Sequence, residues 1–151
     1  MKRILISPYS QYLRNDKRNP KNYPHWAELL NLLQDEGYSI TQIGLFNEGA
    51  LVRDFRADLT FKEIKRLLNE VDLFISVDTF LPHLAHTLGK RGIVIFAVSD
   101  PNIFGYSENI NILKDRKYLR EKQFDYWENC EFNPESFVEP EVVLEHVKAF
   151  R

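Results

Sequence analysis

Two short, almost wholly apolar runs on either side of one helix-length segment constrain the fold of this chain more than any other feature. Residues 71–77 (VDLFISV) and 92–98 (GIVIFAV) are rich in β-branched and aromatic residues, which favours strands that are buried on both faces. The segment between them predicts a helix from about Pro82 to Lys90. Strand, helix and strand in such close succession predict a right-handed βαβ unit within a parallel sheet.

The N-terminal third of the chain continues this alternation. Residues 2–7 form an apolar run that predicts a first buried strand. The polar, proline-containing residues 8–24 predict a long loop, of the kind that often carries function in a compact domain. An amphipathic helix is predicted at residues 24–36, because apolar side chains recur at helical spacing behind a proline. A second strand is predicted at residues 39–46.

The central and C-terminal segments complete the pattern. Residues 47–59 fit neither the helical nor the strand period. Thr60 and Glu63 have the spacing of a capping box, which predicts that a helix begins there. Residues 109–113 predict an edge strand, and Pro140 predicts the start of a last helix. The alternation predicts an α/β fold, a Rossmann-like open parallel sheet with helices on both faces.

Length and composition limit the class of protein. The chain has 151 residues, the length of one ordinary domain, which we expect to span residues 1–151. The single cysteine, Cys130, allows no internal disulfide. There is no membrane-length apolar run and no signal-type segment after Lys2 and Arg3, so we expect a soluble, cytoplasmic protein. Twenty Lys and Arg stand against 22 Asp and Glu, which leaves no basic field for binding nucleic acid.

A candidate anion site follows the strand at 71–77. In open parallel sheets, ligands bind beyond the carboxyl ends of the strands. Asp78 and Thr79 lie between this strand and a helix start, where unpaired N–H groups and the positive end of the helix dipole favour an anion. The backbone at Phe80 belongs to the same turn, and His83 can reach the same anion. The alternative is that Asp78 or Thr79 only caps the helix and that His83 is half-exposed.

Two other segments add candidates to the same edge. Lys21 lies just ahead of the first helix in a loop with three other cations; it could face a diphosphate, or the loop could simply be solvated. Glu48 follows the second strand and could accept hydrogen bonds from ribose hydroxyls, or be an ordinary exposed glutamate. The chain has neither a G-x-G-x-x-G motif nor a P-loop. His83 and His86 lack further ligands for a metal, and Ser99 lacks the nucleophile elbow of a hydrolase.

Five segments carry a resemblance to a known family. They are KNYPHW (21–26), GLFNE (44–48), VDLFISVDTFLPHLAHTLGK (71–90), IVIFAVSDPNIFG (93–105) and FVEPEVVLEHV (137–147). In this order they resemble the C-terminal, donor-binding domain of glycosyltransferase family 9, the ADP-heptose heptosyltransferases of lipopolysaccharide synthesis. The resemblance spans most of the chain and is densest at residues 71–105.

The resemblance implies a GT-B half-domain that takes a nucleotide-diphosphate sugar as its substrate, with an ADP-linked sugar as the first candidate, and that needs no metal or other cofactor. It implies that Glu48 lies near the nucleoside. The positions that match the donor and phosphate contacts of the family are Lys21, Asp78, Thr79, Phe80 and His83. No catalytic residue is assigned by these motifs.

Two departures from the family pattern shape the functional hypotheses. Phe80 stands where the family has a glycine, and a positive φ there would cost about 1–2 kcal/mol. The resemblance covers only the donor half, so a partner chain or a second copy would supply the acceptor site and the catalytic base, docking at the aromatic segment 114–132. With such a partner the protein would transfer a sugar to a hydroxyl. The alternative is a non-catalytic nucleotide-binding or protein-interaction module derived from a donor domain.

Overall fold

The computed structural model describes residues 2–151 and contains a six-stranded sheet in which every strand pairing is parallel. The strands are β1 (Arg3–Ser7), β2 (Ser39–Gly44), β3 (Phe55–Ala57), β4 (Leu73–Val77), β5 (Gly92–Phe96) and β6 (Ile110–Leu113). The helices are α1 (Trp26–Asp35), α2 (Phe61–Glu70), α3 (Phe80–Thr87), α4 (Pro101–Phe104) and α5 (Pro140–Ala149). The strand order is β3-β2-β1-β4-β5-β6, which confirms the predicted Rossmann-like fold.

The sheet is buried because helices cover both of its faces. Ile4 and Ile6 of β1 pack in one cluster with the apolar sides of α1 and α5. Leu5, between them, packs on the opposite face with α2 and α3. All residues of β4 and β5 are buried. This two-sided burial explains why these strands read as continuous apolar runs and not as an alternation of apolar and polar residues.

Most predicted boundaries agree with the structure to within about two residues. The capping box is present, since the Thr60 hydroxyl accepts from the Glu63 N–H and the Glu63 carboxylate accepts from the Thr60 N–H. β2 ends at Gly44, earlier than predicted, because Leu45 and Phe46 turn outward and are 52% and 77% exposed. β3 lies within residues 47–59, the segment that fitted neither the helical nor the strand period. It was not predicted because three residues are too few to show an alternation.

The strand order creates a switch point between β1 and β4. The chain leaves β1 toward α1 on one face of the sheet and leaves β4 toward α3 on the other face. Such a divergence opens a crevice at the carboxyl ends of the two strands, where this class of fold binds ligands. α3 begins at Phe80, earlier than the predicted start near Pro82. Asp78 and Thr79 are therefore the whole connection between β4 and α3.

Candidate functional site

Two cavities meet at the carboxyl edge of the sheet. The first has a volume of about 260 Å³ and an apolar lining beside β2, with Glu48 at its wall. The second has a volume of about 630 Å³ and contains Lys21, Asp78 and His83. Thr79 and Phe80 line both cavities. The N-terminal end of α3 and residues 10–12 of the loop after β1 therefore lie between an apolar part and a polar part of one groove.

Asp78 is fixed at the floor of the polar cavity. The Ser99 hydroxyl donates to Asp78 Oδ2 at 3.1 Å, and Lys21 Nζ lies 3.8 Å from the same oxygen. The Ser10 hydroxyl donates to the Asp78 backbone carbonyl at 3.3 Å. The Asp78 carboxylate thus joins the ends of β4 and β5 to the loop after β1.

Lys21 reaches the site because its loop folds back under it. The Lys21 backbone N–H donates to Asn19 Oδ1 at 2.9 Å, and Nζ lies 4.8 Å from the centre of the Trp127 ring. Burial lowers the pKa of Lys21, and the negative charge of Asp78 opposes that effect. The ammonium is therefore held partly desolvated beside one carboxylate, which is an arrangement that favours a second anionic partner.

The N-terminus of α3 has no side-chain cap. Thr79 occupies the N-cap position with an extended backbone, and its hydroxyl makes no capping hydrogen bond. The simple capping alternative therefore does not describe Thr79. Phe80 is the first helical residue and is not among the positive-φ positions of the described chain. The condition for backbone strain at Phe80, a positive φ, is therefore not met, and the N–H groups of Phe80 and Leu81 in the first turn have no capping side chain.

The Phe80 side chain, 38% exposed, stands at the junction of the two cavities. Its ring packs against Phe61 at the start of α2, with 6.0 Å between the ring centres. Phe61 is itself exposed and lines the apolar cavity. The two rings form an aromatic wall at the mouth of that cavity, beside the place where an anion would meet the helix end.

His83 and Glu48 lie at opposite ends of the groove. The Nδ1 atom of His83 is hydrogen-bonded to the Tyr106 hydroxyl at 2.7 Å, and the ring borders the polar cavity. Glu48 borders the apolar cavity, where its carboxylate accepts from the Leu45 N–H and occupies space left by the missing side chain of Gly44. Burial raises the pKa of Glu48. The six predicted positions thus all border one groove.

Two other cations of this loop, Arg14 and Arg18, contact the aromatic segment 114–132. Arg14 pairs with Glu128 at 2.9 Å, and the Arg18 guanidinium lies 4.0 Å from the centre of the Phe132 ring. These two arginines join the loop after β1 to the aromatic segment. Lys21 is the cation of this loop that reaches Asp78.

The aromatic segment forms one wall of the polar cavity. Trp127 packs against the core and receives Arg120 on its ring at 3.5 Å. Phe124 and Tyr126 remain 81% and 67% exposed. The segment thus contributes to the groove itself, and only part of it is free to meet a partner. The sequence indicated its aromatic content but not this packing, because contacts between distant segments leave no local periodicity.

Two negative findings concern the described part of the chain. Among residues 2–151 there is no group of three or more His, Cys, Asp and Glu side chains placed to hold a metal ion. In the same residues no helix combines the length and the apolar character needed to cross a membrane. The histidine pair of α3, His83 and His86, contacts Tyr106.

Comparison with known proteins assigns the family. A family model described as glycosyltransferase family 9 (heptosyltransferase) matches residues 2–131. The chain belongs to glycosyltransferase family 9. This family 9 chain is 28% identical over 114 residues to lipopolysaccharide heptosyltransferase 1 of Escherichia coli (strain K12), a match that covers 67% of the chain and 36% of the relative. The predicted family is confirmed.

Solved structures support the same fold. E. coli ADP-heptose lipopolysaccharide heptosyltransferase II matches with a TM-score of 0.66 and 18% identity, covering 98% of this chain and 46% of that one. E. coli heptosyltransferase WaaC with ADP matches with a TM-score of 0.65 and 18% identity, covering 98% and 44%. At this identity the likeness concerns the fold. The family 9 chain spans about a third of the curated relative and less than half of each solved structure.

Proposed function

We propose that this family 9 chain binds a nucleotide-diphosphate sugar along its groove, with an ADP-linked sugar as the first candidate. One similar structure was solved with ADP, which supports this choice of base. In the proposal the nucleoside enters the apolar cavity beside Glu48, and the diphosphate meets the N-terminus of α3. The sugar then lies in the polar cavity.

The observation that carries the proposal is the uncapped N-terminus of α3 beside Lys21 at the switch point of the sheet. Free N–H groups and the positive end of the helix dipole favour a phosphate. A lysine ammonium adds a charge-assisted hydrogen bond. As the bond from the sugar to the phosphate breaks, negative charge develops on the departing diphosphate. Lys21 and the helix end would stabilise that charge in the transition state.

Transfer to an acceptor needs a second surface. The proposal assigns the acceptor site, and the general base that removes the acceptor hydroxyl proton, to a partner chain or a second copy. The groove opens at the carboxyl edge, where Phe124 and Tyr126 are exposed and could contact such a partner. In this complex the protein would act as a glycosyltransferase that passes the sugar to a hydroxyl.

A thermal-shift panel tests donor binding. ADP, UDP, GDP, CDP and their sugar conjugates are added at millimolar concentration to the wild-type chain, Lys21→Met and Lys17→Met. A ligand at 100 times its Kd stabilises by about 2.7 kcal/mol, or about 5–10 °C for a chain of this length. We expect a shift with ADP compounds that Lys21→Met removes. Lys17→Met, in the same loop but outside the polar cavity, should keep it.

A second candidate function is a non-catalytic nucleotide-binding or protein-interaction module. The observation that favours it is Phe80, whose ring stands between the two cavities where the ligand would pass. Phe80→Gly separates the possibilities. Tighter nucleotide binding in this variant would mean that the ring obstructs an ancestral site, whereas weaker binding would mean that it stacks on the ligand. No shift with any nucleotide in either protein would refute the donor proposal and leave the interaction module.

A further inference from the structure

We propose that Tyr106 is a positioning residue for His83, one that orients the imidazole and fixes its tautomer so that Nε2 presents an N–H to a phosphate in the groove. The inference rests on the function proposed above and adds a residue to its machinery. Tyr106 lies in the connection between α4 and β6 and belongs to none of the motif positions matched to the donor site.

The contact between the two side chains is direct. The Tyr106 hydroxyl lies 2.7 Å from His83 Nδ1, and the rings meet edge to face with 5.4 Å between their centres. In residues 2–151 no group is hydrogen-bonded to His83 Nε2. The imidazole borders the polar cavity together with Lys21 and Asp78. One ring nitrogen is therefore occupied while the other remains available to a ligand.

The loop that carries Tyr106 is built tightly. The Tyr106 backbone carbonyl accepts from Asn111 Nδ2 at 2.9 Å. The Gly105 N–H donates to the Pro101 carbonyl at 2.8 Å, and a Cβ at Gly105 would lie only 2.6 Å from that oxygen. Only glycine permits this approach of backbone to backbone. The position of Tyr106 is thus set by a close backbone contact from Gly105 to α4 and by a side-chain hydrogen bond from Asn111 of β6.

A second histidine holds the Tyr106 ring from its other side. The His86 ring stacks on Tyr106 with 4.0 Å between ring centres and an angle of 13°. His86 Nδ1 in turn contacts the Glu108 carboxylate. His83 and His86 are three residues apart and lie on one side of α3, so both imidazole rings pack against the Tyr106 ring. This arrangement restricts the position of the Tyr106 ring and therefore of its hydroxyl oxygen.

The chemistry of a neutral imidazole gives the contact a consequence. One ring nitrogen carries the proton and the other accepts a hydrogen bond. If the Tyr106 hydroxyl donates to Nδ1, the proton of His83 resides on Nε2. An ionised phosphate oxygen is an acceptor, so it binds this tautomer and is repelled by the lone pair of the other. Without the Tyr106 hydroxyl, the His83 imidazole can exchange between its two tautomers and rotate about its side-chain bonds. A smaller fraction of the protein then presents an Nε2–H to the phosphate.

The first test measures ADP binding by calorimetry in wild type, Tyr106→Phe, His83→Ala and the double variant. Losing one positioned hydrogen bond should raise the Kd of Tyr106→Phe about three- to tenfold. In the His83→Ala background the same change should alter Kd by less than about twofold, because Tyr106 acts through His83. Tyr118→Phe is the matched control, since the Tyr118 ring faces Lys114 and Lys117 outside the groove.

The second test observes the imidazole without any ligand. Nitrogen-15 NMR at a pH of about 8, where histidine is neutral, reports which ring nitrogen carries the proton. Comparison with His83→Gln identifies the signals. We expect the Nε2–H tautomer of His83 in wild type and Tyr118→Phe, and a mixture in Tyr106→Phe.

The two tests fail in distinguishable ways. A proton on Nδ1 of His83 in the wild type overturns the inference, and so does an equal effect of Tyr106→Phe with and without His83. Absence of ADP binding to the wild type overturns the donor proposal and the phosphate role of His83. In that case the tautomer measurement still decides whether Tyr106 orients the ring.

Discussion

Lys21 and Asp78 form a mostly buried ion pair in the polar cavity, and its removal should destabilise the fold. The perturbation is Asp78→Asn, which keeps the shape of the side chain and removes its charge. Lys21 Nζ lies 3.8 Å from Asp78 Oδ2, and the two side chains are only 15% and 13% exposed. The substitution therefore leaves a partly buried ammonium without its adjacent carboxylate.

The expected size of the effect follows from this geometry. At 3.8 Å the attraction of two unit charges is about 4 kcal/mol for an effective dielectric constant of about 20. Burial already lowers the pKa of Lys21, and Asp78 opposes that effect. The stem of Lys21 can turn toward solvent, so only part of the attraction is lost. We expect Asp78→Asn to lower the free energy of unfolding by about 2 kcal/mol, or the melting temperature by about 4–8 °C.

Urea unfolding at neutral pH provides the assay. If the uncompensated ammonium causes the loss, then Asp78→Asn combined with Lys21→Met should be more stable than Asp78→Asn alone. ADP should also stabilise Asp78→Asn more than it stabilises the wild type, because a phosphate would replace the missing negative charge. A double variant no more stable than the single variant would refute the reasoning, and would attribute the loss to the altered hydrogen bond from Ser99.

Three further predictions concern single contacts. Tyr23→Phe should cost about 1–3 kcal/mol in urea unfolding, because the buried Tyr23 hydroxyl donates to the Val138 carbonyl at 2.9 Å. Thr60→Ala should cost about 1 kcal/mol by the same measurement, through loss of the capping box of α2. The hydrogen bond from Arg116 lowers the pKa of Asp100 below its ordinary 3.8, which stabilises the fold above that pH. Arg116→Gln should therefore reduce stability at pH 7, and the difference from wild type should vanish on acid titration as Asp100 becomes protonated.

The parts of the fold that the sequence predicted are those with a local signal. β4 and β5 were evident from their apolar runs, and α2 from the capping box of Thr60 and Glu63. β3 was not evident, since its three residues depend on pairing with β2 and not on a pattern of their own. The predicted start of α3 near Pro82 was two residues late, because the helix begins at Phe80 and has the proline as its third residue.

The candidate site also has features that the sequence predicted and contacts that it did not predict. Its location at the carboxyl edge, and each of its predicted residues, followed from the strand ends and from the family resemblance. The role of Tyr106 beside His83 and the packing of Trp127 near Lys21 did not follow. These contacts join segments that are far apart along the chain, so no local spacing of residues in the sequence predicts them.

The sequence by itself determined that this chain forms a parallel α/β sheet. Strands that are apolar on both faces must be covered on both sides, and a parallel sheet between two layers of helices is the usual structure that does this. It also determined that loops at the carboxyl ends carry the polar side chains. Only the tertiary structure decided that Lys21, Asp78 and Ser99 meet at one oxygen and that Phe80 lies between the two parts of the groove. The physical reason is that strand order and loop packing, set by the global burial of apolar surface, choose which distant side chains become neighbours.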